Sequence, residues 1–515
     1  MKEYSRNTQM AINLVSGITV FIVNMLISFF LSPYIVENIG VEANGFVTLA
    51  NNFINYATLL VTVINSMAGR FITIEIHREN VKKANVYYTS VFYANLVLLL
   101  LFLIPSIFLI ISLEKIIDIP LHMVVDVKIL FSFIFCNFLA GLAIPMWGTA
   151  TYITNRLYIT SLGTMLSNII RFVSISGMFA FFEPKVWYIG FASFLVMAFS
   201  KIWNYCYKKR LTPELRISKK SFSMKAIAEL ITSGVWNAIS SLGSMLLSGL
   251  DLLIANIFIG STGMGILSVA KIIPHFISNF SSAICNVFAP ELTINYAKGE
   301  KERIKKDLKQ AMNITGIFLT IPLAILFVFG DSFYDLWVPS QNSEQLQILS
   351  ALTVIGYIFT SGTQVLYNVF VTVNKVRNNS LLLIISGVVS TVIVFLALNI
   401  TEWGIYAVAG VSSVVNIVRN MCYTVPFAAK YIGFKWYTFF SQVGKSIISV
   451  LIMVLLGYCV KTILCPSGWF TLVLSCGITA IIGFLINIFV VLSSEERKFV
   501  VGLLSSKIRR KGGFK

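Results

Sequence analysis

Ile39 to Ala50 reads IGVEANGFVTLA, and 220 positions later Ile259 to Ala270 reads IGSTGMGILSVA, with four identities and mostly conservative changes elsewhere. Working outward, Thr73-Ile74 recurs as Thr293-Ile294 at the same offset. Asn155-Arg156 and Ser161-Leu162 recur as Asn374-Lys375 and Ser380-Leu381 at offset 219. Trp187 and the run Asn204 to Tyr207 recur at offset 216 as Trp403 and Asn420 to Tyr423. The order of these matches never changes, so the chain carries an internal duplication.

The repeated unit is a membrane unit. The 515 residues are 57% hydrophobic and 12% charged, against roughly a quarter charged in a soluble domain, and the mean hydropathy is +0.82. The apolar residues form fourteen runs, each long enough to cross a ~30 Å hydrocarbon core as a helix. They lie at 12–35, 44–67, 86–112, 129–151, 159–182, 187–207, 228–258, 265–289, 311–330, 346–372, 379–399, 405–427, 446–464 and 469–492. Continuous apolarity excludes a barrel, whose strands alternate and need only ~10 residues. The first run follows only Lys2 and Arg6 and has no small-residue cleavage site, so it reads as a retained helix.

A unit of six helices enters the membrane twice in the same orientation, which predicts a pseudo-twofold axis along the membrane normal. The expected fold is all-α integral membrane, with about 14 transmembrane helices. It comprises an N-terminal six-helix lobe at 1–210, a basic cytoplasmic linker at 211–225, a C-terminal six-helix lobe at 226–430, and two additional helices with a basic tail at 431–515.

The net charge of +18 first suggests nucleic acid, but its distribution argues against it. With the amino terminus in the cytoplasm, 34 of the 40 Lys and Arg residues fall in cytoplasmic segments. External loops hold Lys115, Lys128, Lys185 and Lys461, and Arg171 and Lys271 lie inside helices. This asymmetry is the positive-inside pattern. It places both termini in the cytoplasm and lets the basic segments meet anionic lipid headgroups, with no nucleic-acid partner. The seven cysteines show no CxxC pair and read as apolar helix residues or free thiols.

Polar residues recur where the copies correspond. Asn13, Ser16, Asn24 and Ser28 stripe the first helix, and offset 220 carries the stripe to Ser233, Trp236, Ser244 and Ser248 in the seventh, which adds Asn237, Ser240, Ser241 and Asp251. The second helix holds Asn51, Asn55, Thr58 and Thr62, and the eighth holds Lys271, His275, Ser278 and Ser282. Such stripes must face protein or water, since lipid satisfies no polar group. Ser, Thr and Asn hydrogen bonds between helices explain any single member. Four matching stripes predict a shared polar cavity.

The buried charges point the same way. Asp251 and Lys271 flank the turn near 262 at depths differing by ~3 Å, so they can pair, and His275 lies one turn from Lys271. Arg171 sits mid-helix without an acid in its own span, and a guanidinium suits diphosphate recognition. Arg70, near the cytoplasmic end of the second helix, can guide an anionic headgroup or snorkel to the interface. The external acids Asp331, Asp335 and Glu344 read as solvated loop charges. No phosphate loop, HExxH or GxSxG motif occurs, so the expectation is a non-enzyme without cofactor, energised by an ion or substrate gradient.

The segment SGVWNAISSLGSMLLSGLDLLIANIFIGSTGMGILSVAKIIP at 233–274, the Ala289-Pro290 pair with the basic stretch that follows, the glycine-bearing segment 39–45 and the Asn155-Arg156 turn resemble polysaccharide-repeat-unit flippases of the Wzx type, in the multidrug/oligosaccharidyl-lipid/polysaccharide (MOP) exporter superfamily. The resemblance implies a MATE-like fold in a bacterial inner (cytoplasmic) membrane. It implies alternating access, coupled to protons or sodium, that moves a polyprenyl-diphosphate-linked oligosaccharide for O-antigen, lipopolysaccharide, capsule or related polymers, beside a polysaccharide polymerase and chain-length machinery. The candidate binding residues are then Arg171, Lys271, Asp251, His275, Asn51, Asn55, Trp236, Asn237 and Arg70, with no metal site. A drug/cation antiporter of the same fold and a membrane glycosyltransferase or polymerase are the alternatives.

Overall fold

The computed structural model describes residues 6–492 and Arg497. Every regular element among them is helical, as the need to satisfy each backbone amide inside hydrocarbon demands. The spans are α1 (Arg6–Ile39), α2 (Val41–His77), α3 (Val81–Ile111), α4 (Val124–Ala143), α5 (Leu157–Phe181), α6 (Trp187–Leu211) and α7 (Met224–Ile259). They continue as α8 (Ser261–Tyr296), α9 (Lys301–Trp337), α10 (Ser343–Thr360 and Thr363–Thr372), α11 (Val376–Ile400), α12 (Ile405–Ile432), α13 (Phe440–Leu464) and α14 (Trp469–Val491). Thirteen are long and apolar enough to cross a membrane alone, and the bent pair of α10 makes fourteen.

Each apolar run in the sequence corresponds to one of these helices, and the differences have local causes. The run at 129–151 becomes α4 and then breaks at Ile144 before Pro145, because the residue before proline is driven out of the helical region. A short helix, Thr149–Ile153, follows. The run at 346–372 bends by 66°. A Cβ on Gly362 at that bend would lie 2.8 Å from the Met312 carbonyl, so α10 breaks where its backbone closes on α9. The basic stretch before 311 extends α9 beyond its apolar run.

The duplication is visible in the backbone. Gly40 (φ 106°, ψ 164°) and Gly260 (φ 105°, ψ 175°) turn α1 into α2 and α7 into α8 with the same dihedrals, 220 residues apart. That region is open to glycine and closed to residues with a Cβ. Asn155 (φ 53°) and Asn374 (φ 56°) repeat the left-handed turn that precedes α5 and α11.

Packing divides the chain into two compact units, Met1–Val269 and Ala270–Lys515. In the first, α2 packs on α3 and α7, α4 on α6, and α1 on α5. Ile64, Ala68, Ile72, Tyr87, Val91 and Leu230 form the core where α2, α3 and α7 meet. In the second, α9 is the hub, flanked by α8, α10, α13 and α14.

The contrast between α9 and its counterpart α3 explains the extra helix pair. The most apolar window of α9 is 72% buried and that of α3 only 17%. Ile314 and Ile317 pack on Phe484, Ile488 and Val491 of α14, and Val328 and Phe329 on Val460 of α13 and Leu472 of α14. Asp331 is not a solvated loop charge. It lies inside α9 and holds Lys461 of α13 at 2.6 Å, because the helix runs past its apolar stretch.

Candidate functional site

The polar stripe of α1 serves two purposes. Near its start Asn13 donates to the Asn155 carbonyl (2.9 Å) and accepts from the Tyr158 amide (3.1 Å), stapling α1 to the left-handed turn before α5. Three turns on, Asn168 of α5 donates a short hydrogen bond to Asn24 of α1. Arg171 follows one turn further along α5. It is half-buried, its Nε is fully shielded without a hydrogen-bond partner, and no hydrogen bond or ion pair to it exists among the described residues. An intramembrane arginine costs at least ~2.5 kcal/mol at the centre of a helix. A guanidinium left with open donors at that depth is suited to an anion that can take two of them at once.

α2 and α7 carry the next group of sequence candidates and are direct neighbours. A Cβ on Gly234 of α7 would lie 2.1 Å from the Val63 carbonyl, and Tyr56 donates to the Gly249 carbonyl at 2.8 Å. On α2, Asn51 and Asn55 are exposed, Asn51 donates to the Val47 carbonyl, and Thr58 and Thr62 bond back to their own helix. On α7, Trp236 and Asn237 are half-buried, and Ser241, Ser244 and Ser248 are exposed. The hydroxyls of Thr58, Thr62, Ser241 and Ser248 thus find partners within their own helix, while the Asn51 and Asn55 side chains stay exposed.

The charged candidates are distributed between the units. Asp251 belongs to the first and is 5% exposed, two residues past the end of a π-helical segment, Met245–Gly249. Lys271 and His275 belong to the second, Lys271 half-buried at a step in α8 and His275 exposed. Arg70 is exposed near the end of α2.

Two clusters escaped the sequence reading. The first joins the α7–α8 turn to other parts of its unit. Asn256, fully buried, accepts from the Asp118 amide (2.7 Å) and donates to the Asp118 carbonyl (3.0 Å), and the Asp118 carboxylate accepts from the Ser261 amide (2.9 Å). Thr262 donates to Glu42 (2.7 Å), and Asn44 donates to Ser268 (2.8 Å). At the crossing a Cβ on Gly45 would lie 3.0 Å from Gly265 Cα, and these two glycines are repeat partners. The available signal was a lone Asn in the apolar run LDLLIANIFIG.

The second cluster surrounds Arg419. The charge census places it among the cytoplasmic residues although it lies inside the run at 405–427; α12 continues to Ile432 and leaves Arg419 well inside the helix. The residue is 9% exposed and donates to Tyr367 (2.5 Å) and Asn416 (3.1 Å). Tyr367 in turn donates to Asn420 (2.7 Å), the first residue of a π-helical segment, Asn420–Thr424. Like Arg171, it has no ion pair among the described residues, and its Nε is buried without a partner. Single π turns inside α-helices concentrate at functional positions. Asp251 and Arg419 each adjoin one.

Comparison with solved structures settles the architecture. An inward-facing MATE multidrug transporter of the MOP superfamily superposes with TM-score 0.63 at 13% identity, covering 84% of this chain and 99% of that one. The fold is that of the MOP transporters. The lipid II flippase MurJ in an inward closed conformation matches with TM-score 0.64 at 13% identity, over 92% of this chain and 97% of that one. In sequence, the membrane protein EpsK of Bacillus subtilis (strain 168) is 25% identical over 95% of this chain and 97% of its own length. The probable low-salt glycan biosynthesis flippase Agl15 of Haloferax volcanii is 24% identical over 48% of this chain and 51% of its own length. No family model matches the chain. The chain is a multi-pass membrane protein with a transporter fold, similar in sequence to one protein named as a membrane protein and one named as a probable glycan biosynthesis flippase.

Proposed function

We propose that this chain is a Wzx-type flippase that carries a polyprenyl-diphosphate-linked oligosaccharide repeat unit from the cytoplasmic to the outer leaflet of the inner membrane. The observation that carries the reading is Arg171, a mid-helix guanidinium whose Nε is buried without a partner. A diphosphate supplies the paired oxygens that a guanidinium fork matches. The open amides of Asn51, Asn55 and Asn237 and the ring of Trp236 suit sugar hydroxyls and faces. Lys271 and His275 add donors, Arg70 draws the headgroup from the cytoplasmic surface, and Asp251 is the candidate for proton or sodium coupling. The lobes 1–210 and 226–430 move in alternating access, with 211–225 as linker, 431–515 as an added helix pair, and both termini cytoplasmic. A polymerase and chain-length machinery receive the product for surface polysaccharide, O-antigen or capsule assembly. The names of Agl15 and MurJ, both flippases, support this reading.

The test is complementation of a deletion strain. Arg171→Gln inserts normally and loses surface polysaccharide, with lipid-linked oligosaccharide accumulating on the inner leaflet, while Arg171→Lys retains part of the activity. Full export by Arg171→Gln removes the residue from the mechanism. The buried Asp251 favours one second reading, a drug/cation antiporter. Drug resistance that depends on Asp251, without a polysaccharide defect on deletion, would establish it.

A further inference from the structure

α3 and α9 begin 220 residues apart, at Val81 and Lys301, and their faces meet different fates. On α9 Ile314, Ile317 and Phe318 are covered by α14, with Phe318 and Phe484 rings 5.4 Å apart. The same offset gives Ala94, Val97 and Leu98 on α3, where no helix corresponds to α14. That face instead opens as an apolar groove of about 610 Å³, bounded by Tyr93, Val97 and Leu100 of α3, Ile227 of α7, and Phe222 and Lys219 of the linker. Its volume lies in the range of small-molecule sites. Tyr93 and Phe222 meet edge to face at 5.7 Å and close one wall. Val97 and Leu100 are each 65% exposed, so the groove opens sideways to the hydrocarbon. Lys219 is exposed at the linker end, its ammonium has no hydrogen bond or ion pair among the described residues, and it is the one charged residue of the lining.

We infer that this groove seats the polyprenyl chain of the lipid carrier, with the phosphate of that carrier at Lys219. The inference rests on the flippase reading for the identity of the lipid and adds a site for the part of it that carries no sugar. The complementarity is specific. One apolar channel takes one chain, a Lys at its linker end takes one anionic head, and a face that accepts a whole helix in the second copy is broad enough for a methyl-branched chain. Burial of that chain against the walls supplies affinity in proportion to apolar area. A two-tailed phospholipid would leave its second chain outside the groove.

The experiment uses the full chain in nanodiscs with a polyprenyl monophosphate that carries a photoreactive group in its chain and no sugar. The adducts map to 93–100 and 222–227 and are competed by unlabelled polyprenyl phosphate at least about tenfold more effectively than by phosphatidylglycerol, the margin that burying a longer branched chain provides. Val97→Trp, which fills the groove from the lipid side, removes those adducts, and Lys219→Glu removes the preference for phosphate over the polyprenyl alcohol. Equal competition by phosphatidylglycerol, or adducts scattered over other helices, overturns the inference. Flipping of the lipid-linked oligosaccharide is measured in parallel. Mapped adducts without flipping would leave the groove standing and remove the flippase reading, and flipping without mapped adducts would do the reverse.

Discussion

At the scale of single residues, two arginines inside helices stand out, and only one was legible. Arg171 stood out because an arginine inside an apolar run has no cheap explanation. Arg419 did not, because it lies in the second half of the run at 405–427, where an arginine reads as one that reaches the cytoplasmic interface. Its hydrogen bonds to Tyr367 and Asn416 go to neutral groups and leave its charge uncompensated. Replacing a buried ion with an apolar side chain of similar volume is often neutral or stabilising. Arg419→Met is therefore expected to keep the melting temperature of the purified protein while lowering transport severalfold. A large drop in melting temperature with transport intact would assign Arg419 to packing alone.

At the scale of elements, the sequence told where helices lie and not how they touch. All fourteen apolar runs became membrane helices, and the left-handed Asn and Gly turns fell at the repeat offsets. The break in α10, the two π-helical segments and the Asp118 contact depend on packing between helices distant in sequence. Asp118, in the run IIDIP, reads as an ordinary loop charge. Its carboxylate and backbone bind Ser261 and Asn256, and Asn256 is fully buried. Removing one partner leaves a buried amide short of hydrogen bonds, at about 1–3 kcal/mol. Asn256→Leu is thus expected to speed hydrogen exchange of the amides at 118 and 261, with exchange in α4 unchanged. Unchanged protection at the turn would show that the contact does not hold it.

At the scale of the whole molecule, composition gave a membrane protein, the repeat gave two copies of six helices, and the solved structures gave the fold. The extra pair α13 and α14 was counted from the sequence, but its work, covering α9 while α3 stays open, required coordinates. The structure sets α2 and α7 side by side, with the Asn51 and Asn55 side chains exposed. The role proposed for the Arg171 guanidinium is to bind the diphosphate of a lipid-linked oligosaccharide during translocation. The most direct measurement is flipping in proteoliposomes that contain the purified chain and a fluorescent polyprenyl-diphosphate oligosaccharide, scored by quenching of the outer leaflet. The expected result is movement that depends on the protein, is lost in Arg171→Gln, and does not extend to a polyprenyl oligosaccharide lacking the diphosphate. Equal flipping by the Arg171→Gln protein, or equal flipping of the lipid without its diphosphate, would contradict it.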